Sequence, residues 1–249
     1  MALGKESAEA GSKLKVPEML FGFTSQIVGR RHGTSVTIPS AILAKSMPSE
    51  RTMVASAITG VGAAGVKMPH GDVASLRKGI AKDYRDLDDD PRFGSIISHL
   101  PRTLGWGEAT SGKHYYLYVA PGAEKHRDAP LVIFLHGFGG NFKIYPWWLK
   151  SWADRNGWVV VYPTFGMGRW EKPGGAEVVR KVYGDVKGRI PGIDKRPVIF
   201  MGLSQGAIGL ARVTTGAKIP FKGVAFISGA SPTRYLRNIK GKHALVVIG

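Results

Sequence analysis

The chain reads Gly202-Leu203-Ser204-Gln205-Gly206 in its last third, a serine with a glycine two residues away on either side. A serine hydroxyl attacks a carbonyl when its backbone presents it unobstructed and donors wait for the negative oxygen that forms. A very sharp strand-to-helix turn meets the first need. Its backbone angles are strained, and a Cβ two residues to either side would strike the neighbouring chain, hence the glycines. Ser204 would then project from the carboxyl edge of a sheet, where the Gln205 amide and the helix N-terminus face a developing oxyanion. With 16 serines and 34 glycines in the chain, the five-letter pattern arises by chance about 0.3 times. The apolar run 198–201 before it and the helix-favouring 207–211 after it supply the specificity that the letters lack.

A second donor is expected from another strand end. The apolar run 131–135 leads into His136-Gly137-Phe138-Gly139-Gly140, and a glycine-rich turn there exposes backbone N–H groups at the same sheet edge. Phe138 is the residue assigned to that role. His136 has two readings, a general base for Ser204 or a residue that pins its own loop by hydrogen bonds; the second is the expectation.

These residues need a scaffold, and the periodicity supplies one. Apolar runs at 114–119, 131–135, 158–162, 198–201, 224–227 and 244–248 predict six strands. Helical segments are expected near 145–156, 176–187 and 205–215, with a shorter one at 233–239. Continuous runs spaced by helices predict an α/β fold, with a mostly parallel sheet buried between helices on both faces. The division expected is 1–95, an N-terminal region of unknown role, and 96–249, the α/β domain. Within the former, 73–85 predicts an amphipathic helix with Val73, Leu76, Ile80 and Tyr84 on one face.

The stretch from about residue 113 to 249 resembles the α/β-hydrolase superfamily. Its two motifs are similar to that family's oxyanion loop and nucleophile elbow, and the Gly-Leu-Ser-Gln-Gly wording with Ile193-Asp194 ahead of the strand resembles the carboxylesterase, phospholipase and polyester-depolymerase branches. The resemblance implies a serine hydrolase of carboxylic esters working through an acyl-enzyme on Ser204, with a small-molecule or polymeric ester as substrate and no metal or organic cofactor. In that family the acid follows the next-to-last strand and the histidine the last, and no segment here matches either. Asp194 and His243 precede strands and belong to the opposite sheet edge, and Ser228-Gly229-Ala230-Ser231-Pro232 offers no carboxylate. Three readings stay open. The chain is a piece that stops before the last strand and helix and has little activity of its own, which is the expectation; it is a non-catalytic relative; or an unusual base such as His136 serves Ser204. His32, His70 and His99 lie in the unassigned region.

Aromatic residues crowd the segments after these strands. Phe165 and Trp170 are the candidates for a substrate pocket, whereas Trp148 and Trp152, at helical i,i+4 spacing, are expected to pack on the sheet. Arg169 and Lys172 are read as ordinary loop cations.

Composition bounds the rest. The 249 residues carry no cysteine, which excludes a disulfide framework, zinc-thiolate or iron–sulfur sites and a cysteine nucleophile. The net charge of +17 is uneven: residues 96–249 hold 22 basic and 8 acidic side chains against 13 and 10 in 1–95. A basic, non-catalytic module that binds an anionic polymer or a protein partner is therefore the rival reading, although no specific nucleic acid is expected and a run such as 180–196 is usually a solvated face. No membrane span is expected, and neither a secretory nor a twin-arginine signal is recognisable, which favours a cytoplasmic address. Oligomeric state is not legible.

Overall fold

The computed structural model describes residues 27–31, 34–38, 49–63, 70–93, 96, 98 and 114–248. All six expected runs are strands of one sheet: β3 (Tyr115–Val119), β4 (Leu131–Leu135), β5 (Val159–Pro163), β6 (Val198–Leu203), β7 (Gly223–Ile227) and β8 (His243–Val247), ordered β3-β5-β4-β6-β7-β8. Two earlier strands, β1 (Ile27–Arg31) and β2 (Thr34–Ile38), pair antiparallel as a separate ribbon.

Every pairing from β5 to β8 is parallel, and β3 runs antiparallel to β5. Parallel neighbours need crossovers, and these carry α3 (Ile144–Asn156), α4 (Gly175–Arg189), α5 (Gln205–Ala217) and the short α6 (Thr233–Leu236), which continues into a 3-10 turn at Arg237–Ile239. β4 and β5 are buried at every position, as strands covered on both faces must be. From β4 the chain steps to one side to form β5, then returns to β4's other flank to form β6. The crevice between the carboxyl ends of β4 and β6 is therefore a topological switch point, the place where open α/β sheets take ligands.

One expectation is corrected, the packing of Trp148 and Trp152, and three further features are added. β3 belongs to the sheet but is not parallel, because a fully buried run has the same composition in either direction. β8 is exposed along its whole length, with Leu245 at 58% and Val246 at 55%; it is the edge strand, bonded only to β7 among the described residues. Trp148 and Trp152 do not pack on the sheet. They lie on the outer side of α3, where Trp148 donates to Asp83 and Trp152 sits under the Arg155 guanidinium. The chain before residue 95 is partly helical. Helices α1 (Glu50–Ala63) and α2 (His70–Asp89) precede it, and Tyr84, Leu87, Phe93 and Ile96 belong to the same apolar core as the strands. The expected helix at 73–85 is the middle of α2. Its seated face is Ile80, Tyr84 and Leu87, while Leu76 stays exposed. Each large apolar side chain fully buried there contributes about 1.5–3 kcal/mol.

Polar ties reinforce that seat. Asp90 pairs with Arg92 and with Lys150 of α3, at 3.1 and 2.7 Å. Arg92 also reaches Asp154 and the Tyr118 hydroxyl. No helix among the described residues is long and apolar enough to cross a membrane.

Candidate active site

Ser204 sits between the end of β6 and the first residue of α5, with φ 51° and ψ −112°. Side chains rarely adopt that region, and holding one there costs on the order of 1–3 kcal/mol. The neighbours fix it. The Ser204 N–H donates to the Ile227 carbonyl of β7 at 2.8 Å, and the Ser204 carbonyl accepts from Ile208 at 3.0 Å. The two flanking glycines are needed for the reason read in the sequence. A Cβ on Gly202 would stand 2.6 Å from the Gly206 carbonyl, and one on Gly206 would collide with the Leu135 carbonyl at the end of β4. The elbow is thus jammed against the strand that carries the glycine turn. Ser204 itself is partly exposed.

The turn after β4 lies beside it. A Cβ built on Gly137 would stand 3.6 Å from the Ser204 Cβ and 3.4 Å from the Leu203 carbonyl, so Phe138 follows a residue in direct contact with the elbow. The Phe138 ring is 62% exposed. Gly139, at φ 99°, donates its N–H to the Met167 carbonyl at 3.1 Å. Gln205 is the first residue of α5, so its N–H has no acceptor within the helix. Ser204, the glycine turn and the helix N-terminus therefore meet at the switch point.

His136 is the loop pin. It is fully buried; Nδ1 lies 2.9 Å from the Gly137 carbonyl and Nε2 accepts the Phe165 N–H at 3.2 Å. Because an amide can only donate, the ring is neutral with its proton on Nδ1, and both nitrogens are committed. Burial pushes its pKa down to about 4, against the opposing pull of the Gly137 carbonyl. Its use as a general base is thereby removed.

Phe165 and Trp170 are not a pocket lining. Both are fully buried, with ring centroids 5.2 Å apart. Trp170 meets His136 edge-on and donates Nε1–H to the His136 carbonyl at 2.9 Å. The 163–170 loop folds back beneath the glycine turn instead of standing open beside it, and Gly168 at φ 85° allows the approach, since a Cβ there would collide with the Gly137 carbonyl. Sequence gave the aromatics' loop position but nothing of the loop's direction.

The other histidines and carboxylates are elsewhere. His243 starts β8 and is paired in register with Gly223 at the amino end of β7; Asp194 precedes β6 and is bound to Lys187 at 3.0 Å. His126 packs against Gly157, ahead of β5. His114 precedes β3 at the correct edge, but three strands from β6, on the order of 14 Å. The side chains of His32, His70 and His99 lie outside the described residues. Much of the basic run in 180–196 is compensated: Arg180 and Lys181 pair with Glu177, Lys187 with Asp194 and Arg189 with Asp185. Arg196 donates to the carbonyls of Ala123, Ala129 and Gly157.

No family model and no curated protein matches the sequence. Solved structures do align. A thermostable esterase shares 18% identity over 53% of this chain and 41% of its own, with a TM-score of 0.42. An acetyl xylan esterase from Aspergillus awamori shares 18% over 47% of each chain, TM-score 0.38. A phospholipase/carboxylesterase from Dyadobacter fermentans shares 13% over 55% of this chain and 87% of its own, TM-score 0.36. The chain spans less than half the length of the first two.

Proposed function

We propose that the protein is a serine hydrolase of carboxylic esters, with Ser204 as nucleophile and the main-chain amides of Phe138 and Gln205 as oxyanion donors. One observation carries the reading: a strained, partly exposed serine at a switch-point strand end, with a glycine turn packed against its Cβ. In the forward step the Ser204 oxygen bonds to the ester carbonyl carbon and its proton leaves to a base. The carbonyl oxygen takes the negative charge and is met by the two N–H groups, and collapse expels the alcohol, which takes up a proton. Water then repeats the sequence on the acyl-enzyme and frees the acid. That the Gly139 amide is engaged by Met167 supports giving the oxyanion role to the Phe138 amide instead. With His136 committed on both nitrogens, the base and its carboxylate partner come from outside the described residues. Acyl and alcohol preference would be set around the exposed Phe138 ring, since Phe165 and Trp170 are interior.

A fluorophosphonate tests this directly, because the serine oxygen displaces fluoride from phosphorus and stays bonded. Expected is one phosphonyl adduct on Ser204 of the folded chain, absent from Ser204→Ala and from heat-unfolded protein. Labelling that survives Ser204→Ala, or no adduct after prolonged incubation at high probe concentration, would overturn the proposal.

A further inference from the structure

Glu50, the first residue of α1, is a buried carboxylate, only 4% exposed, and the chemistry above makes no use of it. Its Oε1 accepts the Tyr84 hydroxyl of α2 at 2.7 Å. Its Oε2 accepts the Ser98 hydroxyl and, at 3.1 Å, the main-chain N–H of Lys143. Lys143 is the residue at which α3 begins. Its backbone is already helical, at φ −64° and ψ −18°, and the helix start has no side-chain cap of its own. The first N–H groups of a helix lack intrahelical acceptors and carry the positive end of its dipole, so a carboxylate placed there is favourable on both counts. Glu50 supplies it from 93 positions away.

The segment it holds is the continuation of the glycine turn. Lys143 comes three residues after Gly140, and its ammonium is tied to Asp88 of α2 at 2.6 Å. The Phe142 ring lies where a Cβ on Gly139 would meet it at 3.2 Å, and the Asn141 amide donates to the Tyr162 carbonyl and the Thr164 hydroxyl. One flank of 137–143 is therefore held by His136, Phe165 and Met167 from the sheet, and the other by the helices that precede it. We propose that Glu50 is a positioning residue for the oxyanion turn: by capping α3 from α1 it fixes residues 137–143 against the elbow, making the helical pair 50–89 part of the site's support. The purpose rests on the hydrolase reading; the tie itself does not.

Hydrogen exchange read by mass spectrometry, together with fluorophosphonate labelling rates, tests both parts on the full chain. Glu50→Ala is expected to raise exchange of amides 138–145 tenfold or more while the β6 peptide 198–203 stays protected, and to slow Ser204 labelling by tenfold or more. Glu50→Gln keeps an acceptor for the Lys143 N–H and offers its amide N–H to the Tyr84 oxygen, and should restore both to within twofold. Leu87→Ala, which loosens the neighbouring helix α2 without touching the carboxylate, should lower the melting temperature without selective exchange at 138–145. Unchanged local exchange in Glu50→Ala, an equal rise in the β6 peptide, or no rescue by Gln overturns the tie. A labelling rate unaffected by Glu50→Ala overturns the positioning role. If the unaltered protein takes no label, the hydrolase reading falls, and the exchange result still decides whether Glu50 orders the turn.

Discussion

At Ser204 the backbone conformation and the proposed chemistry are inseparable, and two glycines and one histidine carry the consequence. Gly206→Ala would drive a methyl group into the Leu135 carbonyl. Since that atom is backbone at a strand end, the change is expected to destabilise the protein by about 3 kcal/mol or more, measurable as loss of soluble protein or a large drop in denaturation midpoint. His136 makes a pH prediction. Its folded pKa, about 4, lies below the unfolded value near 6.5. The unfolded state therefore binds more protons between those limits. Stability from this group is complete above pH 6.5 and falls as pH drops towards 4, by on the order of 3 kcal/mol in all. Chemical denaturation at a series of pH values should show that slope, and His136→Asn should flatten it; an unchanged slope in the variant refutes the assignment. The sharp turn at Ser204 was legible because the close approaches of Gly202 and Gly206 admit few other residues there. Phe165 and Trp170 were misread because loop residues after a strand carry no signal of which way the loop folds, and only the Gly168 approach beneath Gly137 turns those rings inward.

Among the elements, the six strands and the main helices were readable from apolar runs and their spacing. The direction of β3 was not, since it depends on a neighbour instead of on the run itself. The place of α1 and α2 was hidden for a related reason. Ser49 marks the start of α1 locally, its hydroxyl accepting the Thr52 N–H at 3.2 Å, but the ties of Glu50, Asp83, Asp88 and Asp90 to residues 143–150 each span more than fifty positions. Asp90 offers a test of that docking. Burial opposes its charge, yet hydrogen bonds from Arg92 and Lys150 prevail and hold its pKa at about 2. A depressed carboxylate stabilises above its unfolded pKa near 3.9 and loses that contribution as pH falls through 2. Asp90→Asn is therefore expected to lower the melting temperature by several degrees at pH 7 and by less at pH 2; an equal loss at both would contradict it. At the glycine turn, side chain and main chain separate cleanly. Phe138→Ala keeps the N–H and should leave labelling by a small alkyl fluorophosphonate within about threefold, whereas losing an oxyanion donor typically costs about 100-fold or more.

For the molecule as a whole, charge is distributed less simply than the composition implied. The cations at 180–189 have carboxylate partners, but after Asp194 the chain holds nine basic residues and no acidic one. Any binding to a polyanion should therefore be lost on neutralising Lys218, Lys222, Lys240 and Lys242 and kept when Arg180 and Lys181 are changed, with steep weakening in salt read by retention on an anionic column. The same end of the sheet carries β8, whose exposed Leu245, Val246 and Val247 and open edge invite pairing with another strand. Val246→Lys should shift sedimentation towards smaller species, and an unchanged distribution would show that this edge does not mediate association. The interlock of Gly206 with Leu135, Gly168 with Gly137 and Gly209 with Trp170 also limits how the protein can be re-engineered. Libraries that diversify these contacts will return mostly misassembled clones, while new selectivity has room to arise at the open rim, on the exposed Phe138 ring and at the exposed Ala230.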